Sequence, residues 1–150
     1  VYKRQRKYHA LSEHFEVESP DFQGMHIDER LEKADALTEG MTELIVVGSS
    51  YGGLLAALLY SRRPERFFGY VLAAPALHRE LSKEHVERAP RRGVVVHGIH
   101  DDVVPLEPVK AMCEELGLPM LEVEDDHPLA KSLDVLVEQT GKLVEARAAS

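Results

Sequence analysis

The sequence is poor in cysteine and in basic residues, and it has no long apolar run. A single cysteine, Cys113, in a chain of 150 residues excludes an internal disulfide and a zinc site built from cysteines. Lys and Arg number 18 against 26 for Asp and Glu, and the net charge of −8 argues against nucleic-acid and anionic-membrane partners. We find no run long enough to span a membrane, no signal-peptide pattern and no metal-ligand spacing. These absences predict a cytoplasmic protein without a metal or a cofactor.

The rest of the composition is that of one globular domain, apart from the first five residues. The chain is 44% apolar and 29% charged, and its length suits a single domain with one core. It begins with Val, and residues 1–5 read like the translation of a sequencing-adapter tail. We interpret residues 1–5 as non-native and residues 6–150 as the domain. A natural basic arm is the alternative.

Apolar patterning predicts an alternation of strands and helices. Apolar runs predict strands at 44–47, 70–74 and 94–96. Two more strands are predicted at 120–123, which reads Met-Leu-Glu-Val, and at 15–18, where apolar and polar residues alternate. Helical spacing predicts helices over 7–15, 28–38, 54–61, 80–87, 106–116 and 129–146. This order predicts an α/β domain with a mostly parallel sheet and helices on both of its faces.

Residues 48–53 read Gly-Ser-Ser-Tyr-Gly-Gly, directly after an apolar strand and before an apolar helix. The pattern G-x-S-x-G needs small residues because the turn is sharp, and it exposes its serine at a helix N-terminus. A glycine-rich turn of a nucleotide-binding domain is the alternative. No P-loop lysine follows, however, and the glycines do not fit G-x-G-x-x-G. The motif makes Ser50 a candidate nucleophile.

Two further polar clusters follow predicted strands. Residues 97–105 read His-Gly-Ile-His-Asp-Asp-Val-Val-Pro, and residues 124–128 read Glu-Asp-Asp-His-Pro. Because parallel strands end at the same edge of a sheet, both clusters should face the crevice beside Ser50. A carboxylate there could hold His127 in the tautomer that accepts a proton from a serine. Taken alone, the first cluster could be an acidic turn that caps a helix, and the second a solvated histidine.

Together the three clusters resemble the α/β-hydrolase family, whose serine, acid and histidine follow one another in this chain order. The resemblance is to small bacterial esterase-like members with almost no lid. It rests on residues 48–53, 63–66 (Arg-Pro-Glu-Arg), 97–105 and 126–127. It implies a serine hydrolase that forms an acyl-enzyme, with Ser50 as nucleophile and His127 as general base and acid. Asp101 matches the orienting acid rather than Asp102, because of its spacing from Val104.

The resemblance also implies an oxyanion site made of backbone N–H groups. One donor is the N–H of Tyr51, the residue after the nucleophile. The second normally comes from a loop after an earlier strand, and no such strand precedes residue 7. We therefore expect a domain that lacks its first strands, with either a gap between the strands at 15–18 and 44–47 or a shift of the former. Loss of one donor can cost about 10²–10³ in rate, so a weakened enzyme is expected.

The substrate is less specified than the chemistry. The stretch 76–92, where many relatives carry a lid, is short and polar, which favours a small, open acyl or ester pocket. The candidate lining residues are Tyr51, Leu77, His78, Val103 and Val104, with ordinary core packing as the alternative for Leu77 and Val103. We assign no catalytic role to the other seven histidines, which are His9, His14, His26, His78, His85, His97 and His100.

The sequence therefore predicts a carboxylester or thioester hydrolase that acts on a small-molecule acyl substrate. The alternative is a non-catalytic α/β-hydrolase-like binding scaffold or an inactive fragment. A nucleotide-binding domain is disfavoured by the glycine spacing. No feature of the sequence indicates an oligomeric state.

Overall fold

A computed structural model describes residues 6–79, 86 and 92–150. Its parallel sheet has four strands in the order β1 (Leu44–Ser49), β2 (Phe67–Ala73), β3 (Gly93–Gly98) and β4 (Met120–Val123). The described helices are α1 (Arg6–Ser12), α2 (Ile27–Leu37), α3 (Tyr51–Arg62), α4 (Leu106–Leu116) and α5 (Leu133–Ala148). The predicted α/β class with a parallel sheet is confirmed.

Hydrophobic cores lie on both faces of the sheet. Since successive side chains of a strand point to opposite faces, Tyr70 and Leu72 pack into one core and Val71 and Ala73 into the other. Helices α3 and α4 complete the first core, and α5 completes the second. Strands buried on both faces read as continuous apolar runs, which is why the sequence revealed them. Among the described helices, none has the length and apolar character needed to cross a membrane.

Two predictions about secondary structure are wrong. Residues 15–18 form no strand. In the described part of the chain β1 is therefore an edge strand of the sheet, with neither a gap nor a shifted strand beside it. A four-residue alternation becomes a strand only where it pairs with a neighbour, and this segment does not pair with β1. The last helix begins at Leu133 instead of residue 129, because Leu129 has a left-handed φ of 55°. The helix predicted over 80–87 lies outside the described residues, apart from Val86.

An ionic cluster fixes α2 against the end of α3. Asp35 accepts hydrogen bonds from the guanidinium groups of Arg63 (3.1 Å) and Arg66 (2.7 Å). The hydrogen bond from Arg63 is the main reason that the pKa of Asp35 falls to about 2, and Arg66 adds to it. Arg66 also donates to Thr38 at 2.9 Å. The cluster positions α2, which carries Arg30 towards the turn at Ser50.

Candidate active site

Ser50 lies in a strained turn between β1 and α3. Its φ of 55° and ψ of −114° are values that non-glycine residues rarely adopt. The backbone is held there because its N–H donates to the carbonyl of Ala73 (2.8 Å) and its carbonyl accepts from the N–H of Ala76 (2.9 Å). The turn is therefore tied to the end of β2, and it places the serine hydroxyl above the edge of the sheet.

Two glycines allow this turn to close. A Cβ at Gly48 would collide with the carbonyl of Gly52, and a Cβ at Gly53 would lie 2.7 Å from the Cβ of Pro75. These contacts are with backbone atoms or with a rigid proline ring, so neither neighbour can move away without a large cost in free energy. The small residues that the motif requires are explained by sterics at both positions.

The structure brings Ser50, His127 and Asp101 together. Nε2 of His127 lies 3.0 Å from Oγ of Ser50, and Nδ1 lies 2.8 Å from Oδ2 of Asp101. Because an ionised carboxylate only accepts hydrogen bonds, Nδ1 carries the ring proton and Nε2 is free to accept the serine hydroxyl. The three residues follow β1, β3 and β4, so the parallel sheet is what collects them at one edge.

Asp101 is buried, ionised and held by its own loop. Its side chain has 0% exposure, and Oδ1 accepts the N–H groups of Val103 (2.9 Å) and Val104 (2.7 Å). Burial acts to raise the pKa of Asp101, but the hydrogen bonds from Val104, His127 and Val103 outweigh it and hold the pKa below its ordinary value. Asp102 is exposed. The carboxylate that faces His127 is therefore negatively charged at neutral pH.

Tyr51 begins α3, where backbone N–H groups have no acceptor within the helix. Its N–H therefore stands beside Ser50 as a potential oxyanion donor. The ring of Tyr51 contacts the guanidinium groups of Arg30 and Arg79, at 4.8 and 5.1 Å from its centroid. The described part of the chain shows no strand and loop that would supply a second donor.

The other candidate lining residues separate into buried and accessible ones. Leu77 and Val104 are 1% and 2% exposed and belong to the core on the α3 side. Val103 is 61% exposed, so core packing does not describe it. His78 is partly exposed, and burial followed by the charge of Arg79 lowers its pKa. Within the described residues, no group of three or more potential ligands could hold a metal ion.

Two polar side chains without a predicted role lie buried behind this site. His97, which we excluded from the catalytic histidines, is 0% exposed and approaches Asp101. Asp125 is 4% exposed and accepts hydrogen bonds from the N–H of Lys131 (2.9 Å) and the hydroxyl of Ser132 (2.8 Å). The only sequence signal for either is a polar residue inside or directly after an apolar strand.

The fold and the arrangement at its edge define an α/β hydrolase. Residues 9–92, which are more than half of the chain, match the model of the family described as serine aminopeptidase, S33. The chain belongs to this hydrolase family. No curated protein matches the sequence.

Solved structures of other α/β hydrolases share the fold. A protein from Xanthomonas campestris, described as a hydrolase of the alpha/beta superfamily, is 23% identical with a TM-score of 0.79, over 93% of this chain and 88% of that one. Est1E from Butyrivibrio proteoclasticus is 16% identical with a TM-score of 0.79, over 100% and 85%. A monoacylglycerol lipase from Paleococcus ferrophilus is 15% identical with a TM-score of 0.63, over 88% and 79%. At these identities the likeness shows the fold alone.

Proposed function

We propose that the protein is a serine hydrolase that cleaves carboxylester or thioester bonds through an acyl-enzyme. The observation that carries the proposal is the pair of contacts from His127, 3.0 Å to Ser50 and 2.8 Å to Asp101. A nucleophile, a base within hydrogen-bond reach and a third group that orients the base are the parts that this chemistry needs.

The reaction proceeds in two halves. Nε2 of His127 takes the proton of Ser50 as Oγ attacks the acyl carbon, and the N–H of Tyr51 stabilises the oxyanion. The imidazolium, stabilised by Asp101, then protonates the leaving alcohol or thiol, and the acyl group stays on Ser50. In the second half His127 takes a proton from a water molecule as its oxygen attacks the acyl carbon. His127 then returns that proton to Oγ of Ser50 as the bond from Oγ to the acyl carbon breaks and the carboxylic acid leaves.

Two neighbours support ester chemistry over amide chemistry. One structure holds ferulic acid bound to Est1E, and another neighbour is a monoacylglycerol lipase. The family description, serine aminopeptidase, instead suggests amide substrates. A panel of p-nitrophenyl esters, acyl thioesters and aminoacyl p-nitroanilides distinguishes these. We expect turnover of the first two classes to exceed that of the third.

The test of the nucleophile is labelling by a fluorophosphonate, followed by intact mass and peptide mapping. We expect the parent to be labelled at Ser50 and Ser50→Ala to be unlabelled. His127→Ala and Asp101→Asn should react about 10²–10⁴ times more slowly, since the first removes the base and the second removes the carboxylate that orients it. Nearby residues of the same types supply the matched controls Ser49→Ala, His100→Ala and Asp102→Asn, which should react at the parental rate.

The result that would contradict the proposal is a folded parent that is neither labelled nor active on any of the three substrate classes. A non-catalytic scaffold would then be the better description. Labelling at another residue, or equal loss in Ser49→Ala and Ser50→Ala, would contradict the assignment of the nucleophile.

A further inference from the structure

His97 is a fully buried polar side chain in contact with the candidate acid. It lies in β3 and is 0% exposed. Its Nε2 is 2.9 Å from the carbonyl oxygen of Val104 and 3.5 Å from Oδ2 of Asp101. Its Nδ1 is buried with no hydrogen-bond partner among the described residues. An apolar side chain here would avoid the desolvation free energy of that unpaired nitrogen, so packing alone does not explain an imidazole at this position.

The partners of His97 determine its tautomer. A carbonyl oxygen can only accept a hydrogen bond, so Nε2 must carry the proton that it donates to Val104. The same N–H also faces Oδ2 of Asp101, at a distance that adds electrostatic attraction rather than a full hydrogen bond. The Nε2–H group of His97 therefore faces both ends of the turn that carries the acid, which are the carboxylate of Asp101 and the carbonyl of Val104.

The contacts of Val104 close this turn into a ring. Its N–H donates to Oδ1 of Asp101 at 2.7 Å, and its carbonyl accepts from His97 at 2.9 Å. The chain thus runs from His97 through Asp101 to Val104 and is bonded back to its starting residue. With Oδ1 held by backbone N–H groups, Oδ2 is left to face the two imidazoles.

We propose that His97 is a positioning residue, which holds the carboxylate of Asp101 in the orientation that receives Nδ1–H of His127. The proposal rests on the function proposed above. His97 does not touch the reacting atoms, so it acts only through Asp101. A displacement of the acid by about 1 Å can lower the rate on the order of 10²-fold, which sets the effect expected.

Three substitutions separate positioning from simple packing. Leucine (H97L) fills similar space and has no donor. Glutamine (H97Q) can place an N–H near the position of Nε2. Asparagine (H97N) is polar but too short to reach Val104. We expect H97L and H97N to lower kcat on the order of 10²-fold with KM within about twofold, whereas H97Q recovers most of the loss. A packing role would instead make H97L the mildest change.

A double-mutant cycle tests whether His97 acts through Asp101. In the Asp101→Asn background, H97L should slow fluorophosphonate labelling by less than about twofold, because the group that it positions is already altered. An equal loss in both backgrounds would overturn the proposal. Melting temperatures recorded alongside should show that each variant is folded at the assay temperature, although H97L loses the donor to the buried carbonyl of Val104.

A readout that is independent of turnover keeps this test separate from the proposed function. In protein with ¹⁵N-labelled histidine, the Nδ1–H of His127 should give a downfield proton signal that is present in the parent and H97Q and weakened in H97L. The same signal in H97L and in the parent would refute positioning by His97. Failure of the proposed function appears differently, as an intact signal in a parent that is not labelled.

Discussion

The loops after β3 and β4 carry the candidate acid and base, and they are held in opposite ways. In the β3 loop, Asp101 holds its own turn, because its Oδ1 accepts the backbone N–H groups of Val103 and Val104. In the β4 loop, His127 holds nothing of its own loop. There a different residue, Asp125, accepts the N–H of Asp126 at 2.8 Å and reaches forward to Lys131 and Ser132.

The difference follows from the number of hydrogen bonds that each group can make. An ionised carboxylate has about four acceptor positions, so Asp101 can orient an imidazole and bind its own backbone at once. An imidazole has two nitrogens, and both nitrogens of His127 face Ser50 and Asp101. The side chain of His127, the candidate base, is therefore not available to hold its own loop, and Asp125 provides the anchor there.

Gly98, at the end of β3, is where the two loops touch, and its substitution should have the largest effect. A Cβ there would overlap the carbonyl oxygen of Asp125 and lie 2.9 Å from that of Asp126. Gly98→Ala should cost about 1–3 kcal/mol of unfolding free energy and displace His127, with a large loss of labelling at Ser50. Urea denaturation and labelling rates measure both.

Gly141→Ala is the matched control for this change. Gly141 lies in α5, and the nearest atom to its added Cβ would be a ring carbon of Phe15 at 3.8 Å. Because alanine favours helix over glycine, this variant should be neutral or about 1 kcal/mol more stable. Equal behaviour of the two variants would show that the loops are not in contact at Gly98.

Removal of the anchor in the β4 loop should have the next largest effect. Asp125→Ala leaves the N–H of Lys131 and the hydroxyl of Ser132 without their acceptor, at a cost of about 1–3 kcal/mol. Labelling at Ser50 should slow as well, because His127 is two residues away. The exposed neighbour gives the control, since Asp126→Ala removes a carboxylate of the same loop and should change neither quantity.

The pH dependence of this cost provides its check. Burial acts to raise the pKa of Asp125, but hydrogen bonds from Asp126, Ser132 and Lys131 outweigh it and lower the pKa. The stabilisation is therefore complete above the ordinary carboxyl pKa, about 4, and is lost as the pH falls through the lower folded value. The difference in unfolding free energy between the parent and Asp125→Ala should shrink below about pH 4. A constant difference down to pH 2 would contradict the role of the ionised carboxylate.

The same comparison explains what could be predicted from the sequence. Most strands of the sheet were readable from their apolar runs, whereas β4 is short and contains Glu122. Ser50, Asp101 and His127 were found because each follows a predicted strand. Their catalytic roles remain predictions. His97 and Asp125 were missed because their roles depend on which carbonyl or N–H group they meet in three dimensions, and local patterning does not carry that information.

The strand prediction for residues 15–18 was wrong for a related reason. Its alternation resembles that of a strand, but strand formation depends on a pairing partner, which is a property of the whole sheet. The predicted start of α5 was wrong because Leu129 adopts a left-handed φ of 55°. Leu129 lies in the segment that Asp125 holds by accepting hydrogen bonds from Lys131 and Ser132. In both places a contact distant from the pattern decided the outcome.

The smallest effect is expected at the outer side of the β4 loop, where α1 reaches it. Nζ of Lys7 donates to the carbonyl oxygen of Pro128 at 2.7 Å, and burial lowers the pKa of Lys7 although the charge of Asp125 opposes this. Lys7→Met keeps most of the side-chain length and removes the donor. It should cost about 0.5–1.5 kcal/mol of unfolding free energy and slow labelling at Ser50 by no more than about threefold, since Asp125 still holds the loop.

Lys33→Met is the control, because Lys33 makes the same kind of bond, 2.6 Å to the carbonyl of Asp21, away from His127. If only Lys7→Met slows labelling, the contact from α1 contributes to the position of His127. If both variants label like the parent, the contact from α1 does not contribute to the position of His127.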